Sequence, residues 1–202
     1  MEGKNMARPA EFDRKDVLEK AMNVFWRTGY SASSVTDLVN ATKLKPGSLY
    51  GAFQSKRGLF LEVIDTYSSR SLERISNIMT EAESPIEGIH TFFIRFSNEL
   101  ENDSIGKGCL MVNTMLELAT EDDEIRGKVG HYLDQIERHF CTALLKAQEA
   151  GELDKQQSAE DLATYLMTNI WGLRVLSSKR PEHHKYEAVV KTILSALHSP
   201  HH

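Results

Sequence analysis

Residues 34–53 read Ser34-Val35-Thr36-Asp37-Leu38-Val39-Asn40-Ala41-Thr42-Lys43-Leu44-Lys45-Pro46-Gly47-Ser48-Leu49-Tyr50-Gly51-Ala52-Phe53. Ser34 with Asp37 three residues later forms a capping box, which starts a helix that ends near Thr42. Pro46 suits the first position of a second short helix, because its missing N–H is one that a helix start leaves unbonded anyway. That helix runs to about Phe53. Two short helices around Lys43-Leu44-Lys45 have the spacing of a helix-turn-helix, whose second helix enters the DNA major groove by its N-terminal end. Thr36, Lys45, Ser48 and Tyr50 gather about that end, where N–H groups can meet phosphate. Gly51 and Ala52 are small enough to allow close approach of backbone to DNA. The same spacing fits an ordinary αα-hairpin with solvated lysines, and spacing alone leaves both readings open.

Working outward, every flanking segment has helical period. Upstream, Asp13 caps a helix, Asp16 sits at its positive end, and Phe12 can staple to Val17. Val17, Leu18, Ala21, Met22 and Phe25 form its buried stripe, and Gly29 ends it. Downstream, Ser55 caps a fourth helix with Leu59, Phe60, Val63, Ile64 and Tyr67, continuing through Leu72, Ile75 and Met79. Ser84-Pro85-Ile86-Glu87 opens a fifth, followed by Ile89, Phe93, Phe96 and Leu100. The segment from Gly108 to Ala119 is apolar almost all round, which predicts a central, well-buried sixth helix. Ile125, Val129, Tyr132, Ile136, Phe140 and Leu144 line a seventh, stopped by Gly151. Ser158 caps an eighth with Leu162, Tyr165, Leu166, Ile170, Leu173 and Leu176. A ninth follows Pro181, with Tyr186, Val189, Val190, Ile193, Leu194 and Leu197. No convincing period-2 strand and no internal repeat is present. The fold class is all-α, with about nine helices.

Composition agrees. The 202 residues are 41% hydrophobic and 26% charged, close to soluble globular averages, which argues against disorder. No stretch approaches 18 apolar residues, so no membrane partner is expected. The opening Met1-Glu2-Gly3-Lys4-Asn5 lacks the apolar run of a secretion signal. Cys109 and Cys141 make no disulfide framework, which points to a reducing cytoplasm. The net charge of −5 hides an asymmetry: residues 1–57 carry ten Lys/Arg against six Asp/Glu, and the remainder is strongly acidic. Only the front of the chain suits a polyanion.

The text of residues 17–67 resembles the DNA-binding domain of the TetR family of transcriptional repressors. The resemblance is carried by Ala21-Met22-Asn23-Val24-Phe25-Trp26-Arg27-Thr28-Gly29-Tyr30, Ser33-Ser34-Val35-Thr36-Asp37-Leu38, Gly47-Ser48-Leu49-Tyr50, Phe53, and Ser55-Lys56-Arg57-Gly58-Leu59-Phe60. It implies that Thr36, Lys45, Pro46, Gly47 and Ser48 face base edges or nearby phosphates, while Tyr50 and Lys56 grip the DNA backbone. Lys43 stands where Gly is usual in the turn, and Lys45-Pro46 replaces a commoner Ser-Lys. The domains expected are a three-helix helix-turn-helix domain over 1–57, with a basic arm at 1–11, and a helical ligand-binding and dimerisation domain over 58–202. Farther on, Gly108-Cys109-Leu110-Met111-Val112-Asn113-Thr114, Glu117-Leu118-Ala119, and Trp171-Gly172-Leu173-Arg174-Val175-Leu176 resemble one branch of the family.

That resemblance implies a homodimer in which the last two helices build a four-helix bundle, with Leu173, Tyr186, Val190, Ile193, Leu194 and Leu197 at the interface. An amphipathic terminal helix needs cover in any case, from a twin or from its own subunit. An effector pocket is expected among Phe92, Phe96, Cys109, Met111, Met115 and Trp171. Cys109, with Lys107 two residues before it, reads either as a sensor thiol or as an inert small core residue. The fourth helix, from Lys56 to about Met79, would span on the order of 36 Å at about 1.5 Å per residue, one stiff element reaching both expected sites.

Metal and catalytic constellations are not expected. The pairs His183-His184 and His201-His202 are adjacent residues that point apart on a helix, and His131 and His139 lack zinc spacing. No dinucleotide, phosphate-loop or nucleophile-elbow motif occurs, so no cofactor is expected and an enzyme is disfavoured. The reading is a dimeric DNA-binding regulator, a repressor released from a palindromic double-stranded operator by a small-molecule or electrophilic effector. The alternative from another class is a helical ligand-binding or interaction module without DNA binding.

Overall fold

The computed structural model describes residues 12–103 and 108–197. The expected basic arm at 1–11, Lys107 and the pair His201-His202 lie outside the described residues. Among those described are nine α-helices and no strand: α1 (Arg14–Thr28), α2 (Val35–Thr42), α3 (Pro46–Phe53), α4 (Lys56–Glu81), α5 (Pro85–Asn102), α6 (Leu110–Leu118), α7 (Asp123–Ala150), α8 (Ala159–Ser177) and α9 (His183–Ser195). The chain divides into two compact units between Thr66 and Tyr67, a point inside α4.

In the first unit each helix starts where a capping acceptor stands. Asp13 accepts from the backbone N–H groups of Lys15 and Asp16. Ser34 and Asp37 make the reciprocal capping box of α2. Ser55 Oγ accepts from the Gly58 N–H at 2.9 Å and opens α4. The apolar faces then meet in a core of Phe25, Leu38, Leu49, Phe53, Leu59 and Phe60, none more than 2% exposed. Burial of one such side chain contributes about 1.5–3 kcal/mol. Arg14 clamps the unit from outside. Its guanidinium holds Glu62 through two bonds of 2.5 and 3.1 Å, donates to the Ala52 carbonyl, and lies 4.3 Å from the Phe53 ring centroid. One of the front's ten cations is therefore spent on the fold itself.

In the second unit α7 packs on α5, α6 and α8, and α9 packs on α5 and α8. Phe92, Phe93 and Phe140 form its centre, with Phe92 edge-on to Phe140 at 5.1 Å. Ser84 and Ser158 cap α5 and α8, and Gly151 ends α7 in the left-handed conformation. Two expectations are corrected here. The sixth helix is not buried all round: Leu110, Met111, Thr114 and Leu118 face inward, while Leu116 is 83% exposed. Apolar composition suggested burial all round, but its main packing partner, α7, covers only one side.

The second correction concerns the stripe assigned to a dimer contact. Leu173, Tyr186, Val190, Ile193, Leu194 and Leu197 are all buried within the single chain, Ile193 to 1% exposure. They lie in the seam of α9 and α8 against their own subunit, which leaves little of each side chain for a twin. The outward face of α8 carries Tyr165, Thr168, Trp171, Gly172 and Val175 instead.

Candidate nucleic-acid interface and internal cavity

α2 and α3 are joined through Lys43, which adopts φ 62° and ψ 15°, the left-handed region. Its N–H donates to the Val39 carbonyl and closes α2. This is the position where a glycine costs least, since an L side chain is strained there. Gln54, at the other end of α3, also has positive φ, at 65°. The short helix is thus bracketed by two strained non-glycine residues.

Thr36, Lys45, Pro46, Gly47, Ser48 and Tyr50 all face solvent on one side of the pair. Lys45 is the N-cap of α3 but gives it no side-chain hydrogen bond, and Pro46 has no N–H to satisfy. The helix start is therefore left open to an anion from outside. A Cβ added at Gly47 or Gly51 would meet nothing within 4 Å, so packing does not demand a glycine at either position. Gly58 contrasts with both: a Cβ there would come within 2.1 Å of the Phe53 carbonyl oxygen. Lys56 is half-buried with its ammonium 4.5 Å from the Tyr30 ring centroid, a cation–π contact that fixes where the charge is presented.

The second unit encloses a narrow cavity of about 30 Å³, walled by α4, α5, α7 and α8 and by Cys109 at the start of α6. That volume is room for a water molecule or two, far below the roughly 300 Å³ of a ligand pocket. Phe92 and Phe96, stacked at 5.7 Å, supply the apolar floor with Ile75, Ile136 and Met167. The polar groups are Tyr67, Ser71, Arg74, Tyr132, Cys109 and Arg174. The Tyr132 hydroxyl hydrogen-bonds Ser71 Oγ at 2.8 Å, and the Tyr67 hydroxyl lies 3.7 Å from Cys109 Sγ. Burial, and then the neighbouring Cys109, push both phenols above their ordinary range, so they are neutral at pH 7. Arg174 donates to the Gly108 carbonyl at 3.2 Å, and its guanidinium lies 4.7 Å from the Phe96 ring centroid.

Residues 17–63 match the family model described as bacterial regulatory proteins, tetR family, and residues 85–192 match the tetracyclin repressor-like C-terminal domain. The chain belongs to the TetR family. This TetR-family transcriptional regulator is 30% identical to the HTH-type transcriptional repressor ComR of Escherichia coli K12, over 95% of its own length and 91% of that protein. It is 28% identical to the HTH-type transcriptional regulator YezE of Bacillus subtilis 168, over 95% and 100% of the two chains. Among solved structures it resembles a cysteine mutant of the TetR family regulator CifR complexed with 26-bp double-strand operator DNA. That match has a TM-score of 0.85 at 31% identity, over 94% of this chain and 99% of the other.

Of the pocket residues expected from the regulator's sequence, Phe92, Phe96, Cys109 and Trp171 line the cavity. Met111 and Met115 do not, which corrects that expectation. Met111 is fully buried beside Ser68, and Met115 lies toward Gly130 on α7. Both were assigned from their place on α6, yet α6 offers the cavity only its first residue. Sequence reading missed Tyr67 and Tyr132, which it placed in apolar stripes without asking where the hydroxyls go. It also missed Arg174, a lone charge in the apolar run from Trp171 to Leu176, which was the signal available. Cys141 lies away from the cavity, and burial, Glu160 and Glu137 push its thiol up.

Proposed function

We propose that this regulator represses transcription as a homodimer whose two α3 helices enter successive major grooves of a palindromic operator. The observation that carries the reading is the solvent face of α2–α3, where Thr36, Lys45, Gly47, Ser48 and Tyr50 leave an open helix start among cationic and small side chains. Lys45 and Ser48 read base edges or adjacent phosphates, and Tyr50 and Lys56 hold the backbone. Half-sites stand one or more helical turns apart, about 34–36 Å per turn. The twin subunit covers the outward face of α8. A small-molecule effector that fits a widened form of the cavity better than the closed one releases the DNA, by that difference in affinity alone.

The test is selection of bound fragments from a genomic DNA library, followed by gel shifts across a salt series. A palindromic site is expected. Lys56→Ala should weaken binding to every sequence alike and lower the salt slope by about 1, whereas Lys45→Ala should also change sequence preference. Failure to enrich any site above bulk DNA at low salt would overturn the proposal.

A further inference from the structure

The cavity of the second unit holds a cation that its own walls do not neutralise. Its lining includes two arginines and no aspartate or glutamate. Arg74 is paired outside with Glu99. Arg174 is the other, and among the described residues it donates to the Gly108 carbonyl and lies on the face of Phe96. Its Nε is shut off from solvent and, among the described residues, donates to no acceptor. An arginine N–H left buried and unpaired is costly, and an aromatic face replaces only part of the lost hydration. The neighbouring hydroxyls of Tyr67 and Tyr132 are neutral donors, and the rest of the wall is aromatic and aliphatic.

We infer that this cavity receives a small carboxylate with an aromatic or aliphatic body, its carboxylate taken by the Arg174 guanidinium. The inference deepens the effector reading above and rests on it. A carboxylate matches the planar fork of arginine and brings a single negative charge, which one unpaired cation can balance. A phosphate monoester would bring more charge than the site can meet. The body of the ligand lies on Phe92, Phe96 and Ile136. Because the closed cavity admits only water, the ligand binds a form in which the cavity has widened, and binding increases the population of that form. Arg174 also holds the Gly108 carbonyl in front of α6, so a carboxylate that recruits the guanidinium acts on the start of that helix.

The experiment compares acids with their neutral twins on the full-length protein: phenylacetate and octanoate against phenylacetamide and octanamide, by titration calorimetry. Each acid is expected to bind at least tenfold more tightly than its amide. Arg174→Gln should remove that preference, and Arg174→Lys should keep part of it. Arg74→Gln should keep all of it. Equal binding of acid and amide, or no binding of any at millimolar concentration, overturns the inference, and so does a preference that survives Arg174→Gln. If Arg174→Gln does not fold, the wild-type comparison and Arg174→Lys decide. The outcome is separable from the regulator reading. A protein that selects an operator but ignores the acids loses only this inference, and one that selects no operator loses the regulator reading whatever the acids do.

Discussion

Lys43 closes α2 from the left-handed region, where its exposed side chain is strained and a glycine would not be. Lys43→Gly relieves the φ of 62° and should raise the urea midpoint by an amount worth about 1 kcal/mol, with the unfolding slope unchanged. If the ammonium meets phosphate, the same variant binds operator more weakly and with a shallower salt slope. A drop in stability would show that the lysine stem packs in a way that offsets its strain. Gly58→Ala acts in the opposite direction: a methyl 2.1 Å from the Phe53 carbonyl must displace backbone, and the midpoint should fall by about 1–3 kcal/mol. At this scale the sequence was legible wherever chemistry is local. Lys43 stood out in the turn, and Asp13, Ser34, Ser55 and Ser158 cap the helices expected of them, because a cap answers to neighbours within four residues. Arg174 was not legible, since what leaves it unpaired is the absence of acids on three other helices.

α3 carries Gly47 and Gly51 one turn apart, each costing a helix up to about 1 kcal/mol relative to alanine and neither required by a neighbour. Gly47→Ala and Gly51→Ala should therefore stabilise the protein slightly, and, if the DNA surface approaches α3 as proposed, weaken operator binding. Thermal melts and gel shifts on the same samples check both halves; unchanged affinity would remove these positions from the interface. α9 is tied to α5 by His183, whose Nδ1 pairs with Glu101 at 2.7 Å and Nε2 with Glu187 at 3.1 Å. The hydrogen bond and charge of Glu101, then Glu187, hold the His183 pKa above its ordinary value. The pair's contribution is thus fully present below about pH 6.5 and is lost as pH rises through the raised folded value. The difference in melting temperature between wild type and His183→Gln should be small, largest near pH 5.5 and gone in alkaline buffer; a difference that grows with pH would reverse the assignment. Helix identities were readable from period and caps, but packing partners were not. A stripe that meets its own core and one that meets a twin need the same apolar residues, so α9 looked alike in either role. α6 misled for a related reason: in nine residues whose polar side chains, Asn113, Thr114 and Glu117, are not all on the exposed side, no buried face is defined until a neighbour is known.

For the whole molecule, the charge asymmetry and the outward face of α8 together say how an acidic chain meets a polyanion. The surplus of positive charge lies in residues 1–57, and the acidic remainder is best kept away from phosphate. Two copies joined through their second units would present two basic fronts to one duplex. Val175 is 65% exposed, and Trp171, Tyr165 and Gly172 share its face, with open space above Gly172 where a second helix can approach closely. Val175→Glu places a charge on that face, the proposed dimer contact, without touching the core. The variant should stay folded, with wild-type circular dichroism, and sediment as a monomer at micromolar concentration. A monomer holds a single half-site, so operator affinity should fall by about 100-fold or more, the loss expected when linked binding becomes independent. Val190→Glu is the necessary contrast: Val190 is 6% exposed inside its own subunit, so that variant should lose its fold rather than only its partner. A Val175→Glu protein that still sediments as a dimer and binds the full palindrome at wild-type affinity would move the interface off α8. A Val190→Glu protein that is a well-folded monomer would return the α9 stripe to the dimer contact and require the helix to lie differently against α5.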